Sequence, residues 1–149
     1  MLTGLQDSFD TCPPLDVVIV GAFGIYEPNE AEIAFARKAY DASVAFVTVC
    51  GGINLAIPAG ITKGKTATAP RFLLETLRTT AAQTNWVEKR WVRDGKLWTS
   101  GALLNGMDLM KNLIKHHWGG EEGGLVDTFL KLGAAVDRDV DYKDVAWRL

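Results

Sequence analysis

The chain has few of the features that build disulfide frameworks, membrane spans or nucleic-acid surfaces. Only two of its 149 residues are cysteines, Cys12 and Cys50, and their different surroundings disfavour a disulfide and favour a reducing compartment. The longest apolar runs, residues 17–20 and 44–49, are far shorter than the roughly 20 residues that a membrane-spanning helix needs. Its 16 basic residues are scattered among 18 acidic ones, so no basic stripe attracts nucleic acid. We therefore expect a cytoplasmic protein with neither a membrane nor a nucleic-acid partner.

The composition that is present belongs to an ordinary globular domain. The chain is 48% apolar and 23% charged, with a formal net charge of −2, values that suit a folded protein with its own core. This length predicts a single domain over residues 1–149. Within it we expect an irregular lead-in at 1–13 and an irregular, charged tail at 134–149.

The first third of the chain has the pattern of a strand, a helix and a second strand. Residues 17–20 and 44–49 are continuous apolar runs rich in β-branched residues, which predicts central strands buried on both faces. Between them, residues 29–41 begin with a capping box and continue with apolar residues at helical spacing. The second strand leads into Cys50-Gly51-Gly52 and a short helical stretch at 53–57. A βαβ unit of this kind predicts an α/β fold with a parallel sheet covered by helices.

The remaining elements are predicted from turn signals and periodicity. Asp94-Gly95 lies between two apolar segments and is a strong hairpin signal. The other expected elements are a short strand at 65–68, a helix starting at Pro70 and reaching Ala81, hairpin strands at 90–92 and 97–99, a helix from 103 that ends before Gly119, and a short helix at 125–132. His116 and His117 are adjacent on the predicted helix and point about 100° apart, so we expect no metal site there.

Cys50 is the strongest candidate for a functional residue. It follows a buried strand and precedes two glycines and a helix, which places its sulfur at the carboxyl end of the sheet, where open α/β folds bind ligands. The backbone N–H groups of Gly51 and Gly52 can face a developing negative charge, and the loop at Gly21 and Ala22 can supply further donors. The alternative is that Cys50 is a small buried apolar residue, as most cysteines are.

Three ordered segments carry a family resemblance: Pro13-Pro14-Leu15-Asp16-Val17-Val18-Ile19-Val20-Gly21, then Val47-Thr48-Val49-Cys50-Gly51-Gly52, then residues 89–102 with 106–109. Together they resemble the DJ-1/PfpI superfamily, and within it the isonitrile hydratase-like branch and its fungal relatives. The resemblance implies a flavodoxin-like three-layer α/β sandwich with a mainly parallel sheet, no metal or organic cofactor, and a homodimer. It also implies that Cys50 is the nucleophile and that Gly21, Ala22, Gly51 and Gly52 line the pocket that stabilises an anion.

The chain departs from the family pattern at three places. Gly51 stands where many relatives have His or Thr, and Ala69 stands where the hydratase-like branch often has His. Relatives also begin with a strand that delivers an acidic residue beside the cysteine, whereas this chain starts shortly before the strand at Leu15, which predicts an N-terminally shortened fold. Conceivable substitutes for the acid are Glu27, Asp10 and Tyr26.

These departures leave several functions open. The first hypothesis is a cysteine-dependent hydratase or hydrolase of a small molecule, such as an isonitrile, an aldehyde-like carbonyl or an amide. The alternatives are a non-catalytic relative used for dimerisation, redox sensing or partner binding, and a fragment of a longer enzyme. If the first strand of the family is missing, residues 17–20 become an exposed apolar edge, which predicts self-association or dependence on a further segment.

Overall fold

The computed structural model describes residues 7–23 and 27–145. The strands are β1 (Val17–Val20), β2 (Ala45–Val49), β3 (Thr66–Ala67), β4 (Asn85–Trp86), β5 (Trp91–Asp94) and β6 (Leu97–Ser100). The helices are α1 (Glu30–Ala42), α2 (Ile53–Ala56), α3 (Arg71–Thr80), α4 (Asn105–Trp118) and α5 (Leu125–Leu132). A single 3-10 turn, Cys50–Gly52, joins β2 to α2.

The main sheet is mixed and mainly parallel. Its strand order is β1-β2-β6-β5, and β3 and β4 form a separate two-stranded parallel sheet. β2 pairs in parallel with both of its neighbours, with Val17 opposite Ala45 on one side and Val49 opposite Ser100 on the other. β5 and β6 are antiparallel, as the Asp94-Gly95 turn predicts. The α/β fold class is therefore confirmed.

Helices cover both faces of this sheet. On one face, α1, α2 and α3 pack on a core that includes Phe46, Ile53 and Leu74, all almost fully buried. On the other, α4 covers a smaller cluster built around Val47 and Trp98. Because successive residues of a strand point to opposite faces, the apolar residues of β2 supply both cores.

The capping box of α1 is present as predicted. The Asn29 side chain accepts a hydrogen bond from the Glu32 amide at 3.0 Å, and the Glu32 carboxylate accepts one from the Asn29 amide at 2.8 Å. Such a cap contributes about 1 kcal/mol to helix stability. It fixes where the chain leaves the loop after β1, and that loop forms part of the candidate site.

β1 corrects the prediction of a strand buried on both faces. Within the described residues it pairs only with β2, and its Ile19 side chain is 54% exposed. The reason is that α4 packs over β2 and β6, with Val17 only at the margin of that cluster. β1 is thus an edge strand of the described sheet. This position agrees with the expectation, drawn from the family resemblance, that residues 17–20 form an exposed edge.

Two further differences concern element bounds. β4 was not predicted. α4 begins at Asn105 rather than at 103, because Asn105 is buried and hydrogen-bonded, whereas Leu103 and Leu104 are exposed in the preceding turn.

The described part of the tail is irregular, as expected, but it is held by contacts. Arg90 binds Asp144 at 2.6 Å, and the Asn105 amide group donates to the Tyr142 hydroxyl at 2.6 Å.

No helix among residues 7–23 and 27–145 is long and apolar enough to cross a membrane. The prediction of one domain over 1–149 stays a prediction.

Candidate functional site

Cys50 lies on a strained turn at the carboxyl end of β2. Its φ angle is +54°, in the left-handed region that residues with a side chain rarely adopt. Such a conformation costs about 1–3 kcal/mol and persists only where the surrounding structure enforces it. This left-handed conformation turns the chain sharply from the strand into the 3-10 turn and α2. The Cys50 side chain is partly exposed as a result.

Two glycines allow this turn to pack directly on the end of β1. A Cβ atom on Gly52 would lie 2.2 Å from the Val20 carbonyl oxygen and 2.9 Å from that of Gly21. A Cβ atom on Gly51 would lie 3.0 Å from the Phe23 carbonyl oxygen. Since these contacts are with backbone atoms, no side-chain rotation relieves them, so Gly52 is required for the approach, whereas a side chain at position 51 would only make a tight contact.

A third glycine brings α4 against the other side of the turn. A Cβ atom on Gly106 would lie 2.8 Å from Cγ1 of Val49, the residue before Cys50. Gly106 is itself buried in the first turn of α4. The turn that carries the strained cysteine is thus packed between the end of β1 and the start of α4.

Cys50 opens into a cleft of about 970 Å³. The cleft is lined mainly by apolar and backbone surface, from residues Ala22, Phe23, Glu27, Pro28, Cys50, Gly51, Asn54, Pro58, Pro70, Phe72 and Leu73. Of these described lining residues, only Cys50 and Glu27 can ionise. This is the arrangement of a small-molecule site with few polar groups in an apolar pocket.

The family model for the DJ-1/PfpI family matches residues 12–116, which include both parallel strands, the strained cysteine and the hairpin. The chain belongs to the DJ-1/PfpI family.

One sequence relative and two solved structures illustrate what the chain is similar to. The chain is 32% identical over 151 residues to the isonitrile hydratase of Pseudomonas putida, a match that covers 97% of this chain and 65% of that protein. Among solved structures, Drosophila melanogaster DJ-1beta superposes with a TM-score of 0.67 at 18% identity, covering 82% of this chain and 65% of that one. An AraC family transcriptional regulator from Pseudomonas putida superposes with a TM-score of 0.73 at 16% identity, covering 88% and 70%. These matches confirm the flavodoxin-like DJ-1/PfpI fold and the likeness to the hydratase branch.

The structure brings together only part of the predicted DJ-1/PfpI site. Cys50, Gly51 and Ala22 line the cleft. Gly21 instead lines a neighbouring groove along β1, and Gly52 is buried beneath the turn. Gly52 therefore acts on the site through packing, while the assignment of all five residues to catalysis or binding stays a prediction.

The three suggested replacements for the family's acid fall in different places. Glu27 lines the cleft with Cys50 and is exposed. Asp10 lies in an exposed turn of the lead-in and is not among the cleft residues. Tyr26 lies outside the described residues, as do Gly24 and Ile25 of the same loop.

Several cleft residues were not predicted from the sequence. Asn54 lies in α2, directly after the turn that carries Cys50, and its nearness to Cys50 in the sequence was an available signal. Phe72 and Leu73 come from α3, and only the tertiary structure brings that helix to the cleft. Phe72 is 71% exposed, so it forms an apolar wall open to solvent.

An ionic cluster formed by the tail lies beside the same end of the sheet. The Tyr142 ring is flanked by the guanidinium groups of Arg71 and Arg90, whose central carbons lie 4.9 and 4.6 Å from its centroid. Burial raises the pKa of the Tyr142 hydroxyl, although the charge of Arg90 opposes this. A Cβ atom on Gly101, just after β6, would lie 2.9 Å from that hydroxyl. The tail thus packs tightly behind the end of β6 and stabilises the frame of the site.

Proposed function

We propose that this chain is a cysteine-dependent hydratase or hydrolase of a small molecule, with Cys50 as its nucleophile. The observation that carries the proposal is the partly exposed Cys50 at φ +54° in an apolar cleft of about 970 Å³. Strained backbone at an exposed cysteine is typical of a site whose geometry serves chemistry. The 32% identity to an isonitrile hydratase makes an isonitrile the first substrate class to test.

The proposed reaction hydrates the terminal carbon of an isonitrile. The Cys50 sulfur and one proton add to that carbon and give a thioimidate, R–N=CH–S–Cys50. Water then adds to the same carbon, its protons pass to nitrogen and sulfur, and the C–S bond breaks. The products are a formamide, R–NH–CHO, and the free thiol, so the enzyme is regenerated and no oxidant or reductant is consumed.

The chain's own groups supply the remaining roles in this proposal. The first amides of a helix have no partner within it, so the backbone at Gly51, supported by Gly52, is suited to stabilise negative charge. The loop at Gly21 and Ala22 approaches from the end of β1. We assign proton transfer to Glu27, because it is the other ionisable group among the described residues of the cleft.

A direct assay tests the proposal. Benzyl isocyanide has an apolar body that suits the cleft, and its conversion to N-benzylformamide is measured by mass spectrometry. We expect Cys50→Ala to lower the rate by about a thousandfold or more, because removing a nucleophile abolishes the covalent step. Cys12→Ala is the matched control and should retain full activity. Equal rates for the two variants would contradict the proposal.

One observation favours a second candidate, a non-catalytic redox or binding protein. No imidazole lines the described part of the cleft, and imidazole is the commonest general base. On this proposal Cys50 is oxidised to a sulfenic acid by peroxide while no hydration occurs. Dimedone labelling after peroxide treatment, with Cys12→Ala and Cys50→Ala as the pair of variants, distinguishes the candidates when read beside the hydration assay.

We also propose that the protein self-associates along β1. Within the described residues the outer backbone edge of this apolar strand is unpaired, and a groove of about 400 Å³ runs along it past Ile19 and Phe35. This groove shares Phe23 and Pro28 with the Cys50 cleft. A second strand paired there would cover the exposed edge and extend one wall of the cleft.

A further inference from the structure

A second cleft lies along the β5 edge of the described sheet, away from Cys50. Its volume is about 650 Å³, and it is lined by Thr66, Val87, Lys89, Trp91, Val92, Arg93, Trp98, Asn112, Lys115, His116 and Val140. We call it the tryptophan cleft. Trp91, Val92 and Arg93 belong to β5, the outer strand of that sheet, whereas Cys50 follows β2, which is separated from β5 by β6. The two clefts share no lining residue.

The tryptophan cleft is basic. Its lining residues include Lys89, Arg93, Lys115 and His116 but no carboxylate. Lys89 is already paired with Asp141 at 2.8 Å. Arg93 forms no ion pair within the described residues, and its guanidinium instead donates to the Nδ1 atom of His116 at 3.2 Å. Two groups that can both carry positive charge therefore lie in contact.

Aromatic rings hold the Arg93 guanidinium in position. Trp91 and Trp98 stack with ring centroids 5.9 Å apart and an interplanar angle of 22°. The Arg93 guanidinium lies over the Trp98 ring, 5.2 Å from its centroid, a cation–π contact that orients the group. Trp98 is buried, but Trp91 is only half-buried and contributes part of the cleft surface.

We propose that the tryptophan cleft binds a small planar molecule that carries an anionic group. Arg93 and Lys115 bind the anion, and the exposed part of Trp91 packs against the planar body. The cleft volume lies in the range of small-molecule sites. A polymeric anion is disfavoured because the chain has a net charge of −2 and its basic residues are scattered among acidic ones rather than gathered into a stripe.

His116 supplies a local reporter of anion binding. Its pKa is lowered, chiefly by desolvation and further by the charges of Arg93 on β5 and His117 on α4. Lys115 lies on the same helix and adds positive charge. An anion bound beside Arg93 opposes this potential, so it should raise the pKa of His116.

Calorimetric titration with 1-naphthoate, and with neutral 1-naphthalenemethanol of similar shape, tests the proposal. We expect the anion to bind roughly threefold to tenfold more tightly than the alcohol, as a partly exposed charge contact allows. Arg93→Gln should remove that preference, because it removes the guanidinium that binds the anion. Since Arg93 is exposed, the variant should keep its fold. Lys63→Gln, an exposed change elsewhere, should keep it.

Two readouts decide the outcome. In the wild type, 1-naphthoate should raise the pKa of His116 followed by NMR, and Cys50→Ala should bind it equally well, which separates this site from the proposed catalytic cleft. Equal binding of naphthoate and the alcohol overturns the proposal. An unchanged preference in Arg93→Gln, or a His116 titration that the ligand does not move, overturns it as well.

Discussion

Replacing Gly52 by alanine tests the packing that holds the strained cysteine. The backbone of Gly52 has φ −59° and ψ −20°, a conformation open to any residue. Backbone strain therefore contributes nothing to the effect of the substitution. The cost comes from the new Cβ atom, which would lie 2.2 Å from the Val20 carbonyl oxygen and 2.9 Å from that of Gly21. Both are backbone atoms, in the last residue of β1 and the residue after it, so no side-chain rotation moves them away.

The expected loss of stability is about 2 kcal/mol. Forcing an extra carbon into a packed interior costs roughly 1–3 kcal/mol, and a backbone contact belongs at the upper end of that range. Restricting the unfolded chain returns about 0.4–1 kcal/mol when glycine becomes alanine. For a chain of this length the remaining loss corresponds to a melting temperature lower by about 4–8 °C.

Gly21→Ala is the matched control. A Cβ atom on Gly21 meets no atom within 4 Å, so the variant should be as stable as the wild type or gain about 0.4–1 kcal/mol. Urea unfolding followed by circular dichroism measures all three proteins. Equal stabilities for Gly52→Ala and Gly21→Ala would refute the close approach of β1 to the turn.

Three further predictions concern catalysis, association and pH. Glu27→Gln should lower the rate of isonitrile hydration by about a hundredfold with unchanged circular dichroism, and an unaltered rate would remove Glu27 from the mechanism. Ile19→Lys should weaken self-association in light scattering, whereas a wild type that is monomeric at every concentration would contradict the role of β1. The pKa of Asp94 is lowered mainly by a hydrogen bond from the Thr66 amide, against desolvation and with help from Lys65. Its stabilising effect is therefore present above the ordinary carboxyl pKa and is lost as pH falls through the lowered value. Asp94→Asn should cost about 1 kcal/mol at neutral pH and progressively less in acid, and a gap that is independent of pH would count against this contact.

The parts of the fold that local sequence determines were predicted well. The capping box at Asn29 is confirmed, and it was predictable because both of its hydrogen bonds join residues three apart in the sequence. The hairpin at Asp94-Gly95 is confirmed because Gly95 adopts the positive φ of +62° that the turn requires. The position of Cys50 between a buried strand and a helix was also predicted, because residues next to it in the sequence determine both elements.

Contacts between segments that are distant in the sequence were not predictable in this way. Arg90 binds Asp144, 54 residues away, and no local pattern in the tail announces that contact. The exposure of Ile19 likewise depends on where α4 packs, and the apolar run of β1 alone does not reveal it. A strand at an edge and a strand at a centre can have the same sequence when apolar residues face solvent.

The reactivity of Cys50 in the native protein is the most direct test of the account. Iodoacetamide labelling followed by mass spectrometry compares Cys50 with Cys12, a partly exposed thiol whose sulfur lies 3.3 Å from the Pro13 carbonyl oxygen. We predict that Cys50 is alkylated faster than Cys12 in the folded protein and that benzyl isocyanide protects Cys50 alone. Labelling of Cys50 that is slower than that of Cys12, or that begins only when the protein is unfolded, would contradict a nucleophile held open to the cleft.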